Sequence, residues 1–277
     1  MQLYIYCQTG HNFGLENLRR SSAIYKKLQD LNPILATADY RAATFAKSEL
    51  GVSTGLGVDI IENLPHMMTR RDILIFDSHE PSDTTKEYMK EFCTHLFEVG
   101  VDIPYDIVDD TFFQNTESSR EKAIFFADDD YEDDFLNICQ NSKQHNIPLL
   151  LGHYFFLGHE DKLKPYFSEL FEDEDYEEVI KNTKYLLTSS VHSCLESLAS
   201  GNKPVFFPRN IKQFKGHLQL LEKYNIPIIY GDNLDILVEN FENIIKHYPQ
   251  TKSIEPYDLS DVYNQINNTL KKFEGIV

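Results

Sequence analysis

Short apolar runs alternate with helical periodicity along the first hundred residues. Residues 3–6 read as a strand, and Leu15, Leu18, Ile24, Tyr25 and Leu28 recur at a spacing that predicts a helix over 15–28. Asn32-Pro33 stops that helix, and 34–37 is a second short strand. A helix over 41–50 ends at Gly51. The fully apolar run 73–76, followed by Asp77, has the character of a parallel strand buried on both faces. A helix over 86–99 closing at Gly100 and a strand over 105–108 complete the first half. Alternation of this kind predicts an α/β architecture.

The polar stretch 114–122 is the expected break, giving domains 1–120 and 121–277. Beyond it, a strand over 123–126 runs into Asp128-Asp129-Asp130, followed by a helix over 135–145 and a strand over 147–151. The acidic segment 171–178 reads as a solvated helix start. Strands at 185–188, 205–207 and 226–229 alternate with helices at 193–199 and 214–223, and helices at 234–246 and 259–273 close the chain. No internal repeat is visible. The economical expectation is two Rossmann-like parallel-sheet halves with a cleft between them, ligands lying at the carboxyl ends of the strands.

Composition narrows the function. The 277 residues carry 26 basic and 44 acidic side chains, a net charge of −18, which opposes nucleic acid and anionic lipid surfaces. With 42% apolar and 25% charged residues the chain is of ordinary globular type. No apolar run approaches the roughly 18 residues of a membrane helix, so membrane contact is expected to be peripheral at most. The first six residues lack the features of a signal peptide. Cys7, Cys93, Cys139 and Cys194 are scattered without a CxxC pair, which suggests reduced thiols in a cytoplasmic protein and neither a disulfide frame nor a zinc site.

The most informative segment is 185–208: a strand, a Ser-rich turn, a short helix, Gly201 and another strand. Small hydroxyl residues Ser189, Ser190 and Ser193 at a helix N-terminus can offer backbone N–H groups and hydroxyls to a diphosphate. Glu196, one turn in, can accept hydrogen bonds from ribose hydroxyls. The same spacing, Ser193-x-x-Glu196, also matches a plain capping box. Walker A, GxSxG and Rossmann GxGxxG patterns are missing, the run Gly51-Val-Ser-Thr-Gly55-Leu-Gly57 having the wrong spacing. Asp128-x-Asp130 matches a D-x-D metal site, but such a triplet is common in so acidic a chain. Asp77-Ser78-His79 is a candidate acid/base pair at a strand end, or a turn-forming cap. Gly152-His153 and Gly158-His159 bracket an aromatic loop that, with Tyr166, either stacks on a sugar or base or packs as a surface cluster.

The 185–208 segment resembles the nucleotide-binding motif of GT-B fold glycosyltransferases, of the type S/T-x-x-E-A-x-x-x-G-K-P-V. It is most similar to those of the MurG kind and to their relative, the UDP-sugar hydrolase of pseudaminic acid synthesis. The resemblance implies that Glu196 binds ribose and Ser193 faces the phosphates, with Ser190 and His192 in the preceding turn. The stretch from Gln213 through His217 is similar to the helix after the motif, and Arg209 and Lys212 add local positive charge. Near the N-terminus, Gly14-Leu-Glu-Asn17-Leu-Arg-Arg20 resembles the hydrolase's G-x-G-H-x-x-R turn, 73–79 its L-I-I-D-H segment, and 107–110 its F-D-D strand end.

Two departures stand out. Asn17 occupies the place of the hydrolase's histidine, and an amide cannot take a proton from water. The family's Gly-Gly loop is replaced by Asp128-Asp129-Asp130. His11, in the same loop as Asn17, is a substitute candidate or simply an exposed loop residue. The resemblance implies an N-terminal acceptor domain, a C-terminal nucleotide-sugar domain, and metal-independent transfer of a UDP-linked sugar to a sugar or glycolipid acceptor in bacterial surface polysaccharide biosynthesis. No cofactor is implied. A base would come from His11, Asp77 or His79. The alternatives are a UDP-sugar hydrolase and a non-catalytic binding or regulatory subunit.

Overall fold

The computed structural model describes residues 1–114, 117–154, 158, 160–209 and 215–275, the side chains of Lys215 and Glu274 apart. The chain divides into two compact units. Unit 1 comprises Met1–Gly10, Asn17–Asp109 and Pro256–Val277, and unit 2 comprises His11–Glu16 and Asp110–Glu255. By compactness the division thus falls at Asp109 and Asp110 instead of residue 120, and the chain's last helix counts with unit 1. That helix, α10 (Ser260–Glu274), is tied there by a 3.0 Å hydrogen bond between Thr269 Oγ1 and His95 Nε2 and by Phe273, whose ring lies 5.8 Å from the Arg71 guanidinium.

Unit 1 is built on five parallel strands: β1 (Leu3–Cys7), β2 (Ile34–Thr37), β3 (Gly55–Gly57), β4 (Ile73–Asp77) and β5 (His95–Glu98), in the order β3-β2-β1-β4-β5. Central strands β1 and β4, apolar except for Asp77 at the end of β4, are buried on both faces, as the sequence predicts for 73–76. Register places Cys7 between Thr37 and Asp77, so the polar residue ending β4 lies beside the end of β1. Helix α1 (Glu16–Lys27) has an acidic first turn and a basic last turn, in accord with its dipole. Asp39 caps α2 (Tyr40–Ser48) by accepting from Ala42 N, and Ser82 caps α3 (Asp83–Phe92) by accepting from Thr85 N.

Two expectations in this unit are corrected. Helix α3 stops at Phe92, and the rest of the expected 86–99 helix is β5. Cys93 is already extended, and His95–Glu98 pair with Ile73–Phe76, completing the open edge of β4. Residues 105–108 form no strand. Ile107 and Val108 are buried in irregular chain, so their apolar character reflects burial without ladder pairing.

Unit 2 contains β6 (Arg120–Phe125), β7 (Leu149–Leu150), β8 (Leu170–Phe171), β9 (Thr183–Thr188) and β10 (Lys203–Phe206), all parallel, in the order β10-β9-β6-β7-β8. Read from β8, this is the strand order of unit 1: third, second, first, fourth, fifth. A repeat that the sequence does not display is therefore present in the topology. Helices α4 (Asp134–Cys139), α5 (Glu160–Leu163), α6 (Tyr176–Asn182), α7 (Val191–Ala199), α8 (Lys215–Tyr224) and α9 (Leu234–Lys246) accompany these strands. Its core stacks Phe126 on Phe135 (4.6 Å between centroids) and Phe135 on Phe167 (5.7 Å).

The expected helix over 135–145 is shortened to α4, because Asn141 takes a left-handed conformation (φ 63°) just beyond its end. The expected strand over 226–229 is reduced to a single bridge between Phe206 and Ile228. Pro227 has no N–H to extend the ladder there. Fold class is as expected: α/β, with two five-stranded parallel sheets and flanking helices. No helix among the described residues is long and apolar enough to cross a membrane.

Candidate functional site

In open parallel sheets, ligands bind outside the carboxyl ends of the strands where strand order reverses. In unit 2 that point lies between β6 and β9. Ser189 joins the three strand ends there: its N–H donates to Phe126 O (3.1 Å), and its hydroxyl donates to Phe207 O (2.8 Å). Ser190 is the N-cap of α7, its Oγ accepting from Ser193 N at 3.0 Å. The helix therefore starts two residues before 193, and the capping-box reading of Ser193 with Glu196 gives way to a cap by Ser190.

Glu196 is instead part of a buried hydroxyl network. The Tyr176 hydroxyl donates to Glu196 Oε2 and lies 2.6 Å from Ser193 Oγ, which in turn lies 2.7 Å from Ser190 Oγ. Glu196 Oε1 faces His192 Nε2 at 3.4 Å, both side chains being almost fully buried (2% and 1% exposed). Neither ring nitrogen of His192 has a hydrogen-bond partner. The structure thus brings together Ser189, Ser190, His192, Ser193 and Glu196. Gln213 and Lys212 lie outside the described residues.

Arg209, after β10, makes a buried pair with Asp129: Nη2 donates to Oδ1 at 2.6 Å and to Oδ2 at 2.8 Å, and the guanidinium lies 5.0 Å from the Phe126 ring centroid. Burial pushes the Asp129 carboxyl up, with Arg209 opposing. Asp130 accepts from Phe135 N at 3.2 Å, and burial raises it to about 7 against that bond. Asp128 accepts from His153 N (3.4 Å) and, through its carbonyl, from Tyr154 N (2.8 Å). Each acidic residue of the triplet thus has its own partners. No group of three or more His, Cys, Asp or Glu able to hold a metal occurs among the described residues.

Two pairings in this unit escape sequence reading. Tyr176 falls in the acidic stretch taken for a solvated helix start, yet it is buried, 20 residues from the carboxylate it serves. His153 Nδ1 meets Asp173 Oδ2 at 2.5 Å. Burial pushes the Asp173 carboxyl up, but the hydrogen bonds with His153, Glu174 and the backbone and the attraction of His153 together bring the net shift downward. Phe155, Phe156 and His159 of the expected aromatic loop lie outside the described residues.

In unit 1 the corresponding reversal lies between β1 and β4. Asp77 accepts from Arg20 Nε at 2.8 Å and from Arg20 Nη2 at 2.9 Å. The same Nη2 donates to Asn17 Oδ1 (2.7 Å), while Asn17 Nδ2 donates to Gln8 O (3.2 Å). Both ends of the Asn17 amide are thereby engaged in structure. Gln8 Oε1 accepts from His79 N at 3.2 Å, and the His79 ring lies 6.1 Å from that of Tyr105. His79 is exposed, and burial of its surroundings holds the imidazole below its usual value, with Asp77 opposing. Of the four residues considered for catalysis, Asn17, Asp77 and His79 share this cluster. His11 belongs to unit 2, exposed, with its ring 4.9 Å from that of Tyr131.

No protein-family model matches the sequence, and no curated protein does. Solved structures match in fold. The UDP-GlcNAc 2-epimerase from Neisseria meningitidis, bound to UDP-GlcNAc, is 11% identical, with a TM-score of 0.57 over 98% of this chain and 100% of that one. The UDP-GlcNAc 2-epimerase from Methanocaldococcus jannaschii, in complex with UDP-GlcNAc and UDP, is 12% identical, with a TM-score of 0.53 over 98% and 100%. The fold is therefore GT-B-like, in agreement with the resemblance drawn around Glu196. Likeness at this identity shows the fold alone and supports no particular enzyme, the hydrolase included.

Proposed function

We propose that this protein binds a nucleotide-activated sugar, UDP-linked first among the candidates, and transfers the sugar without a metal to a sugar or glycolipid acceptor. The observation that carries the reading is the position of 189–196: the turn and the first turns of α7 lie where the strand order of the unit 2 sheet reverses. A helix N-terminus there favours a diphosphate. Glu196 is the group for ribose, and Ser189, Ser190 and Ser193 border the phosphates. Steadying of the leaving diphosphate is the main catalytic contribution. That both epimerases named above hold UDP-GlcNAc makes it the first conjugate to try.

For the base that activates the acceptor, His79 is the best suited of the three candidates. It is exposed, and its lowered pKa leaves it neutral at pH 7. Asp77 is engaged with Arg20 on both oxygens. A second reading, a non-catalytic nucleotide-sugar-binding subunit, draws on the same ion pairs: Asp77 and Arg209 are each committed to a partner inside the fold.

The deciding experiment is a thermal-shift screen of the purified protein against UDP, GDP, CMP, ADP and their sugar conjugates. A ligand at a hundred times its dissociation constant adds about 2.7 kcal/mol of apparent stability. A selective rise with uridine compounds, followed by sugar release only in the presence of an acceptor, supports transfer. Release without an acceptor means hydrolysis. Binding without turnover supports the subunit reading, and no shift at all overturns the nucleotide-sugar assignment.

A further inference from the structure

The network around Glu196 has an uneven distribution of protons. A carboxylate only accepts, so the single Tyr176 hydroxyl proton goes to Glu196 Oε2. The tyrosine oxygen is braced in turn by Ser193 Oγ at 2.6 Å, and Ser193 by Ser190 Oγ at 2.7 Å. The ring is held as well: Tyr176 is 3% exposed and meets Phe125 edge-on at 5.2 Å between centroids. One oxygen of Glu196 is thereby fixed by α6, with little freedom for the carboxylate to turn.

The other oxygen points elsewhere. Glu196 Oε1 faces His192 Nε2 at 3.4 Å, beyond good hydrogen-bond distance. His192 is 1% exposed with both ring nitrogens unpartnered. A buried polar ring without a partner is costly, and native folds retain such groups where something else is to satisfy them. The unpartnered imidazole, able to donate or accept, thus lies beside an acceptor, Glu196 Oε1. Vicinal hydroxyls, each a donor and an acceptor, are the chemistry that matches both.

We propose that Tyr176 is a positioning residue: it fixes Glu196 so that Oε1 and His192 together take the vicinal hydroxyls of a ribose, making the site selective for ribonucleotides over deoxyribonucleotides. This rests on the nucleotide reading above and extends it to a residue that never touches the ligand. Tyr176 acts only through Glu196, while His192 supplies the second contact. The Tyr176 hydroxyl also touches Ser193 Oγ, so the readout is the ratio of ribonucleotide to deoxyribonucleotide affinity, in which any change on the phosphate side cancels.

The test compares UDP with 2′-deoxy-UDP by calorimetry in the wild type, in Tyr176→Phe and in His192→Ala. The wild type favours UDP by about tenfold or more, the worth of a lost hydrogen bond to a charged group. In Tyr176→Phe that ratio falls toward one, with a circular-dichroism spectrum and melting transition like those of the wild type showing that the variant is folded. His192→Ala lowers the ratio as well. A Tyr176→Phe ratio equal to that of a discriminating wild type overturns the Tyr176 assignment alone. A wild type that binds both nucleotides equally overturns the ribose role of Glu196 with it, and a wild type that binds neither overturns the nucleotide reading altogether.

Discussion

Arg20 and Asp77 meet side by side, two nitrogens of the guanidinium facing two oxygens of the carboxylate at 2.8 and 2.9 Å, with both side chains almost fully withdrawn from solvent. The pair links α1 to the end of β4, 57 residues away, and the Tyr105 ring lies 5.1 Å from the guanidinium. Two buried charges in this geometry satisfy each other, and the cost appears when one is removed. Arg20→Met is expected to destabilise unit 1 by about 3–5 kcal/mol, leaving Asp77 buried and unpaired. The double variant Arg20→Met, Asp77→Leu recovers much of that loss. Urea unfolding of the four members of the cycle measures the coupling; additive losses would show that the two residues do not depend on one another.

The Tyr105 ring has a second constraint. Gly100 has φ +95°, and a Cβ there would fall 2.3 Å from Tyr105 Cζ. Gly100→Ala is therefore expected to displace the ring that covers Arg20 and to cost about 1–3 kcal/mol, as overpacking does, with backbone strain in addition. A melting temperature equal to that of the wild type would contradict this packing.

Asp130 predicts an unusual pH dependence. Burial raises its folded value to about 7, against 3.8 as the ordinary value. Between those limits the folded protein keeps a proton that the unfolded chain has released. Its contribution to stability therefore falls as pH rises through the window and levels off above about 7. The full effect is of the order of 4 kcal/mol. Asp130→Asn should raise the melting temperature at pH 8 and leave it nearly unchanged at pH 4, the amide oxygen still accepting from Phe135 N. Equal shifts at the two pH values would rule out titration of Asp130 as the cause.

Glu196→Ala is expected to lower nucleotide affinity more than about tenfold, a charged hydrogen bond being worth about 1.5–3 kcal/mol. Calorimetric titration with UDP reads this directly, and an unchanged dissociation constant would remove the 189–196 segment from the functional argument.

If His79 is the base, activity rises with pH through a midpoint below that of an ordinary imidazole, because burial holds the ring's pKa down. His79→Gln should reduce kcat by about 10²–10⁴-fold and abolish that acid limb. A variant that keeps the limb would transfer the role to another group.

Legibility from sequence followed burial. Strands β1, β2, β4 and β9 lie inside the sheets, and their uninterrupted apolar runs announced them. Edge strand β5 did not: His95, Leu96 and Glu98 are only half-buried, and the preceding helical period ran on into them. Ile107 and Val108 show the converse, apolar side chains interred without a strand. At the candidate site, Ser190, Ser193 and Glu196 were visible together because one helix and its N-cap carry them. Tyr176 comes from another helix, and Asp173 meets His153 across 20 residues. Contacts that close only in three dimensions leave no spacing to read, and Arg209 with Asp129, 80 residues apart, is a longer example.

The division of the chain also bears on the order in which it becomes foldable during synthesis. Domains generally fold as units while the chain emerges from the ribosome. Every residue of unit 2 lies before Pro256, whereas unit 1 includes Pro256–Val277. The unit begun first is thus the one completed last: strands β1 to β5 emerge early, yet α10, anchored through Thr269 and Phe273, arrives only after the whole of unit 2 has been made. A chain released after residue 255 would carry a complete second unit and a first unit still lacking its closing helix.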